Sequence, residues 1–195
     1  WEHIGADLPK RGLKDTDIES WRPRPELQGA LESLYRSYER AFDYWQTTLA
    51  SSGEPPPVFI VVCNNTSVSR LVYDWVAGRA TVNDDARTLV PGNLPLFSNV
   101  VDGQLLDRPR SILVDSAQLE SGEALKPDFK MAAATEIDAF KAEFARRSPG
   151  ADVESITDED LLREVMNSVG KRGRLGEGIR CVVSVSMLTE GWDAN

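Results

Sequence analysis

The chain is poor in the residues most often used for catalysis and metal binding. It has one histidine, His3, and two cysteines, Cys63 and Cys181, among 195 residues. With a single imidazole near the amino terminus, no Ser/His/Asp or Cys/His set can be assembled, and His3 reads as a solvent-exposed side chain. The cysteines lie far apart inside apolar runs with no CxxC or Cys/His cluster nearby. That spacing excludes a zinc ribbon and points to an intracellular, reducing compartment, with the cytoplasm the expected location. No stretch approaches the roughly 18 apolar residues of a membrane span, and no charged-then-apolar leader opens the chain, so no membrane association is expected. Positive charge is also scarce: 22 Lys and Arg stand against 31 Asp and Glu, for a formal charge of −9. Such a balance argues against a dedicated nucleic-acid-binding module but does not exclude a local basic stripe.

A hydrophobic fraction of 41% provides for a sizeable core, and its distribution shows how the chain is organised. Residues 1–26, with Pro9, Pro23 and Pro25, read as an extended leader. From Leu27 the apolar residues Leu31, Leu34, Tyr35, Tyr38, Phe42 and Trp45 recur at helical spacing, predicting an amphipathic helix that ends near Leu49. Its aromatics are expected to pack on a core and not to stack on bases. Ser51–Gly53 and Pro55–Pro57 then mark a boundary, which divides the chain into an extension, 1–54, and a main domain, 55–195.

Val58 to Cys63 is an unbroken apolar, mostly β-branched run, predicting a strand buried on both faces of a parallel sheet. Asn64–Ser67 follow as a polar loop, and Val68, Leu71, Val72, Trp75 and Val76 predict the next helix. Residues 79–110 have weak periodicity and read as an insertion with a short hairpin around Leu89 and Phe97. Ile112–Val114 predict a second strand and residues 128–147 a helix with Phe129, Ala133, Ile137, Phe140 and Phe144 on one face. Thr157–Asp160 resemble a capping box that opens a further helix. Ile179–Val185 predict a third buried strand, followed by a polar-tipped loop from Ser186 to Asp193. Strands alternating with helices imply an open α/β sheet, whose ligands bind outside the carboxyl ends of the strands.

Two segments carry the chemistry expected there. Gly170-Lys-Arg-Gly-Arg-Leu-Gly-Glu-Gly178 contains Gly and Lys without the GxxxxGK[ST] order, and it precedes a strand instead of following one. It is therefore no Walker A loop, because that loop must open a helix after a strand to meet phosphates with its amides. Lys171, Arg172, Arg174 and Arg180 nevertheless stand against Glu177 alone over 170–180, while residues 128–164 hold ten acids against five bases. The acidity thus belongs to the later helices, and the basic turn is a candidate for phosphate contacts.

The second segment is Cys181-Val-Val-Ser-Val-Ser-Met-Leu-Thr-Glu-Gly-Trp-Asp-Ala-Asn195. A strand ending in hydroxyls and followed by Gly-x-Asp resembles motif V of superfamily 2 helicases. Val58-Phe-Ile-Val-Val-Cys-Asn-Asn-Thr-Ser67 resembles the motif IV region. Together with Val114-Asp-Ser-Ala-Gln-Leu-Glu-Ser-Gly122 and Asp160-Leu-Leu-Arg-Glu-Val-Met-Asn167, these blocks look like the restriction subunit of type III restriction-modification enzymes and its DEAD/DEAH-box relatives.

The resemblance implies a RecA-like α/β fold: an open, mainly parallel sheet flanked by helices, with an amino-terminal helical extension and a loop insertion. It also implies the second motor domain of an ATP-dependent DNA helicase or translocase. Asn64, Asn65, Thr66, Ser186 and Thr189, with Lys171, Arg172 and Arg174, would then touch the nucleic-acid backbone, and Gly191 and Asp193 the nucleotide. The implied cofactors are ATP and Mg2+ in the whole enzyme; none is expected to bind this piece alone. DNA, a first RecA-like domain and a modification (methyltransferase) subunit are the implied partners. Motif V in many relatives opens with a hydroxyl where this chain has Val185. Ser184 and Ser186 flank that position on one strand face, and Ser186, nearer the loop, is favoured for the phosphate contact. The Walker A and acid-pair motifs, an arginine-finger motif and an ExK nuclease signature do not occur in the 195 residues. The chain is therefore expected to be one part of a longer enzyme and inactive alone. Other readings are a stand-alone nucleotide-binding α/β module or a protein-interaction domain.

Overall fold

A computed structural model describes residues 25–83, 86–114, 127–150 and 152–185. Helix α1, Pro25–Tyr44, buries Leu31, Tyr35, Tyr38 and Phe42, the stripe that three- and four-residue spacing places on one side. Trp45–Leu49 continue it as a wider π-helical turn. Within that turn the Trp45 indole lies against Phe42 and donates to the Glu54 carbonyl at 2.7 Å. A short 3-10 turn, Ala50–Ser52, ends at Gly53, whose φ of 83° reverses the chain ahead of the prolines.

Strand β1, Phe59–Cys63, leads into helix α2, Thr66–Ala77. Two small antiparallel pairs follow: β2, Gly78–Asn83, with β3, Ala86–Pro91, and β4, Val100–Val101, with β5, Gln104–Leu105. Strand β6 is Ser111–Val114. Helices α3, Pro127–Ala132, and α4, Ala134–Arg147, precede a 3-10 turn at Val153–Ser155. Helix α5, Asp158–Asn167, and strand β7, Cys181–Val185, complete the described chain.

The main sheet is parallel, in the order β1-β7-β6. Its register pairs Phe59 and Ser111 with Cys181, and Val62 and Val114 with Ser184. Helices cover both faces. Residues of α1 and α2 pack with Cys63, Leu113, Cys181 and Val183 on one side. Residues of α3 and α5 pack with Ile112, Val114 and Val182 on the other, where Ile137 and Phe140 of α4 join them. The protein is thus α/β, with a three-stranded parallel sheet between helical layers. Helix α1 shares the core of β1 and α2 and does not form a separate body. Among the described residues no helix is long and apolar enough to cross a membrane.

Three expectations need correction. Strand β1 is not buried on both faces: Ile60 and Val62 are 43% and 59% exposed, because β1 is an edge of the described sheet and the α3–α5 layer lies over β6 and β7. Leu89 lies in a hairpin strand, but Phe97 does not. Phe97 is fully buried, its ring against Tyr35, Tyr38 and Phe59. The helix over 128–147 is broken at Ala133, where Phe129 and Ala133 are buried while α4 buries no residue fully.

The capping box at α5 is present. Thr157 accepts from the Asp160 amide at 3.2 Å, and the Asp160 carboxylate accepts from the Thr157 amide at 2.9 Å and its hydroxyl at 2.7 Å. The bonds from the Thr157 amide and hydroxyl hold the Asp160 carboxyl below its ordinary value. Its contribution to stability is therefore present above the ordinary 3.8 and disappears as the pH falls through the lower folded-state value. Thr157→Ala is expected to cost about 1 kcal/mol in urea unfolding at neutral pH. The stability gap between wild type and Asp160→Asn should narrow when the same measurement is made in acid.

Candidate functional site

The order of the strands determines where a site can form. From β1 the chain passes over α2 on one face and moves two positions across the sheet to β6. It then returns one position to β7 by way of helices on the opposite face. Right-handed crossovers in opposite directions lie on opposite faces, so the chain leaves β1 and β6 toward opposite faces at their carboxyl ends, the side on which open α/β sheets bind ligands.

At the carboxyl end of β1, Asn64 and Thr66 are exposed and Asn65 is half-buried. The Asn65 side chain accepts from the Val68 amide at 2.9 Å, capping α2, and its Nδ2 donates to Asn64 Oδ1 at 3.1 Å. Part of the polar signal read as backbone contact is thus the local chemistry that starts a helix. The start of α2 carries no acidic side chain in its first turn, whereas α5 carries three, Asp158, Glu159 and Asp160. The partial positive charge at α2 is therefore left uncompensated by its own first turn, and that at α5 is not.

The pairing of Cys63 with Val185 brings the chain out of β7 beside this turn. Ser184 is fully buried, and among the described residues its hydroxyl has no hydrogen-bond partner. Ser186, Thr189, Gly191 and Asp193 lie outside the described residues.

The basic turn sits elsewhere. Residues 170–180 enter β7 at its amino end, and a five-residue parallel strand separates its two ends by about 15 Å. Lys171, Arg172 and Arg174 are therefore not brought together with Asn64, Asn65 and Thr66. Lys171 and Arg172 are exposed. Arg174 is tied to Glu143, which also takes Arg147, and stands 3.8 Å from Glu164. These groups line a cavity of about 280 Å3 between α4 and α5, together with Phe140 and Asn167. Burial pushes the Glu164 carboxyl up against the pull of Arg174, while the Arg174 bond holds Glu143 down. Arg180 lies over the Phe42 ring, 4.7 Å from its centroid. Two of the four bases in the turn are thus engaged with the protein's own helices, where remote partners hold them.

Sequence reasoning missed Asn99, which is 6% exposed and holds the insertion against β6, because a lone Asn in an aperiodic stretch gives no signal. It also missed the pairing of Arg110 with Arg180, which are 70 positions apart in the chain. Among the described residues no group of three His, Cys, Asp or Glu side chains is placed to hold a metal ion. Comparison with protein-family models, curated proteins and solved structures found no match to this chain.

Proposed function

We propose that the chain is the second RecA-like motor domain of a superfamily 2 DNA translocase, similar to the restriction subunit of type III restriction-modification enzymes. The observation that carries the reading is the β1-β7-β6 order, which brings the carboxyl ends of the motif IV-like and motif V-like strands side by side. The acid-free start of α2 at the same edge suits a phosphate oxygen.

In this reading Asn64, Thr66, Ser186 and Thr189 hold the DNA backbone through hydroxyls, amides and peptide N–H groups, which grip phosphates without reading sequence. Gly191 and Asp193 would serve the ATP and Mg2+ site that a first motor domain shares. Hydrolysis needs γ-phosphate charge stabilised from both sides of a complete cleft, so this chain alone is expected to turn over no ATP.

Fluorescence anisotropy of labelled single-stranded and duplex DNA tests the reading. Binding is expected at low salt and should weaken linearly on a log-log plot as salt rises. Ser186→Ala combined with Thr189→Ala should weaken it about tenfold, the effect of losing one or two phosphate hydrogen bonds. Lys171→Gln combined with Arg172→Gln, at the other end of β7, should leave it unchanged. ATP turnover by the chain alone, or no DNA binding at low salt, would sink the proposal.

A further inference from the structure

We infer that Arg110, Arg180 and Tyr38 form a binding site for a phosphate dianion at the amino ends of the sheet strands, remote from their carboxyl ends and independent of the motor reading. Arg110 and Arg180 immediately precede the paired residues Ser111 and Cys181, and the Arg180 amide donates to the Arg110 carbonyl at 2.7 Å. Their guanidinium groups converge on one turn. Arg110 Nη1 donates to the Pro95 carbonyl at 3.3 Å and Arg180 Nη1 to the next carbonyl, Leu96, at 3.4 Å.

Neither arginine forms an ion pair with a described carboxylate, although the chain has more acids than bases and Arg108, Arg147, Arg163 and Arg174 all do. Burial and then the adjacent Arg110 hold the Arg180 guanidinium below its ordinary value. Guanidinium stays protonated under such pressure, so the pair is a standing double positive charge.

A third polar group, buried, lies close to it. The Tyr38 ring is stacked on Phe42, the ring that Arg180 covers. Tyr38 is 6% exposed, and among the described residues its hydroxyl has no hydrogen-bond partner. A buried phenol without a partner among the described residues and two adjacent guanidiniums without a described counter-ion leave a donor and two positive charges to be answered. A tetrahedral dianion answers both, with two charge-assisted forks and one O–H donor. Its charge matches the pair, whereas a carboxylate or a phosphodiester carries only one negative charge.

Inorganic phosphate is the direct probe, and phosphoserine distinguishes a monoester source from the free ion. In thermal unfolding of the 195-residue chain, phosphate should raise the midpoint in a saturable way over chloride at equal ionic strength. Phosphoserine, whose monoester is also a dianion, should do the same. Arg110→Gln should weaken phosphate about tenfold, and Tyr38→Phe about fivefold, in line with the loss of a charged and a neutral donor. Tyr38→Phe should not lower stability without phosphate, because it removes an unsatisfied hydroxyl. Arg108→Gln, whose charge is held by Glu136, should bind phosphate as wild type does. Equal midpoints in phosphate and chloride, wild-type affinity in Arg110→Gln or Tyr38→Phe, or binding of an oligonucleotide without binding of phosphate and phosphoserine would each overturn the assignment.

Discussion

Asn99→Ala is expected to destabilise the protein by about 4 kcal/mol, measured as a loss of urea stability with an unchanged slope. The Asn99 side chain accepts from the Arg110 amide at 2.7 Å and the Ser111 amide at 3.0 Å. It also donates to the Ser111 carbonyl at 2.9 Å and the Tyr73 hydroxyl at 3.0 Å. Strand β6 is an edge of the described sheet, and at Ser111 the asparagine amide takes the place that a neighbouring peptide would fill. Alanine leaves two N–H donors and a carbonyl without that partner in a buried environment. Each such loss costs about 1–3 kcal/mol, and partial relaxation reduces the sum. Asn99→Asp separates the two halves of this argument. It keeps an acceptor for both amides but sets a carboxylate oxygen against the Ser111 carbonyl, which raises the folded-state pKa of the new carboxyl. A raised carboxyl favours the fold at low pH and disfavours it as the pH climbs, so the deficit of Asn99→Asp should shrink on acidification. An alanine deficit within the range of an exposed substitution would show that the insertion is not held through this side chain.

Gly92→Ala is expected to be as damaging, at roughly 3 kcal/mol or more, and to reduce the yield of folded protein. A Cβ at Gly92 would stand 2.0 Å from the Val76 carbonyl oxygen and 2.7 Å from its carbon, both backbone atoms that cannot swing aside. The close approach has a purpose. Beyond β3 the chain crosses the carboxyl end of α2, where the Asn93 amide donates to the Trp75 carbonyl at 2.9 Å and the Asn99 amide to the Ala77 carbonyl at 2.7 Å. The insertion therefore satisfies the last carbonyls of the helix, which have no partner within it. Gly29→Ala is the comparison. That position lies inside α1 with nothing within 4 Å of an added Cβ, and the change should stabilise by about 0.5–1 kcal/mol. Far-ultraviolet circular dichroism and urea midpoints of the two variants check both signs at once. A near-neutral Gly92→Ala would mean that the crossing chain can lift off α2 without loss.

Much of the scaffold was legible because local physics wrote it. The β-branched runs at Phe59–Cys63 and Cys181–Val185 are strands, the apolar stripe from Leu31 to Phe42 is the buried side of α1, and the Thr157–Asp160 box starts α5. Each depends on neighbours a few residues apart. The candidate site was legible only in part. That Asn65 caps α2 follows from its place before an apolar periodic run, but which of its polar neighbours stays available depends on the folded turn. The exposure of Ile60 and Val62 could not be read from their sequence, since a central and an edge strand of a parallel sheet carry the same apolar pattern until strand order is known.

The basic turn shows the same division. Four cations among eleven residues read as one patch, yet Arg174 turns to Glu143 of α4 and Arg180 to Phe42 of α1. Only Lys171 and Arg172 stay outward, at the end of the sheet opposite Asn64. Sequence alone determined that this protein alternates strand and helix and that its hydroxyl- and amide-rich segments follow the strands. Tertiary structure decided the β1-β7-β6 order, which strand is an edge, which charges are neutralised, and that two arginines 70 positions apart share one turn. The physical reason is reach: periodicity and capping act within a few residues, whereas register, burial and charge pairing depend on segments that meet only when the sheet closes.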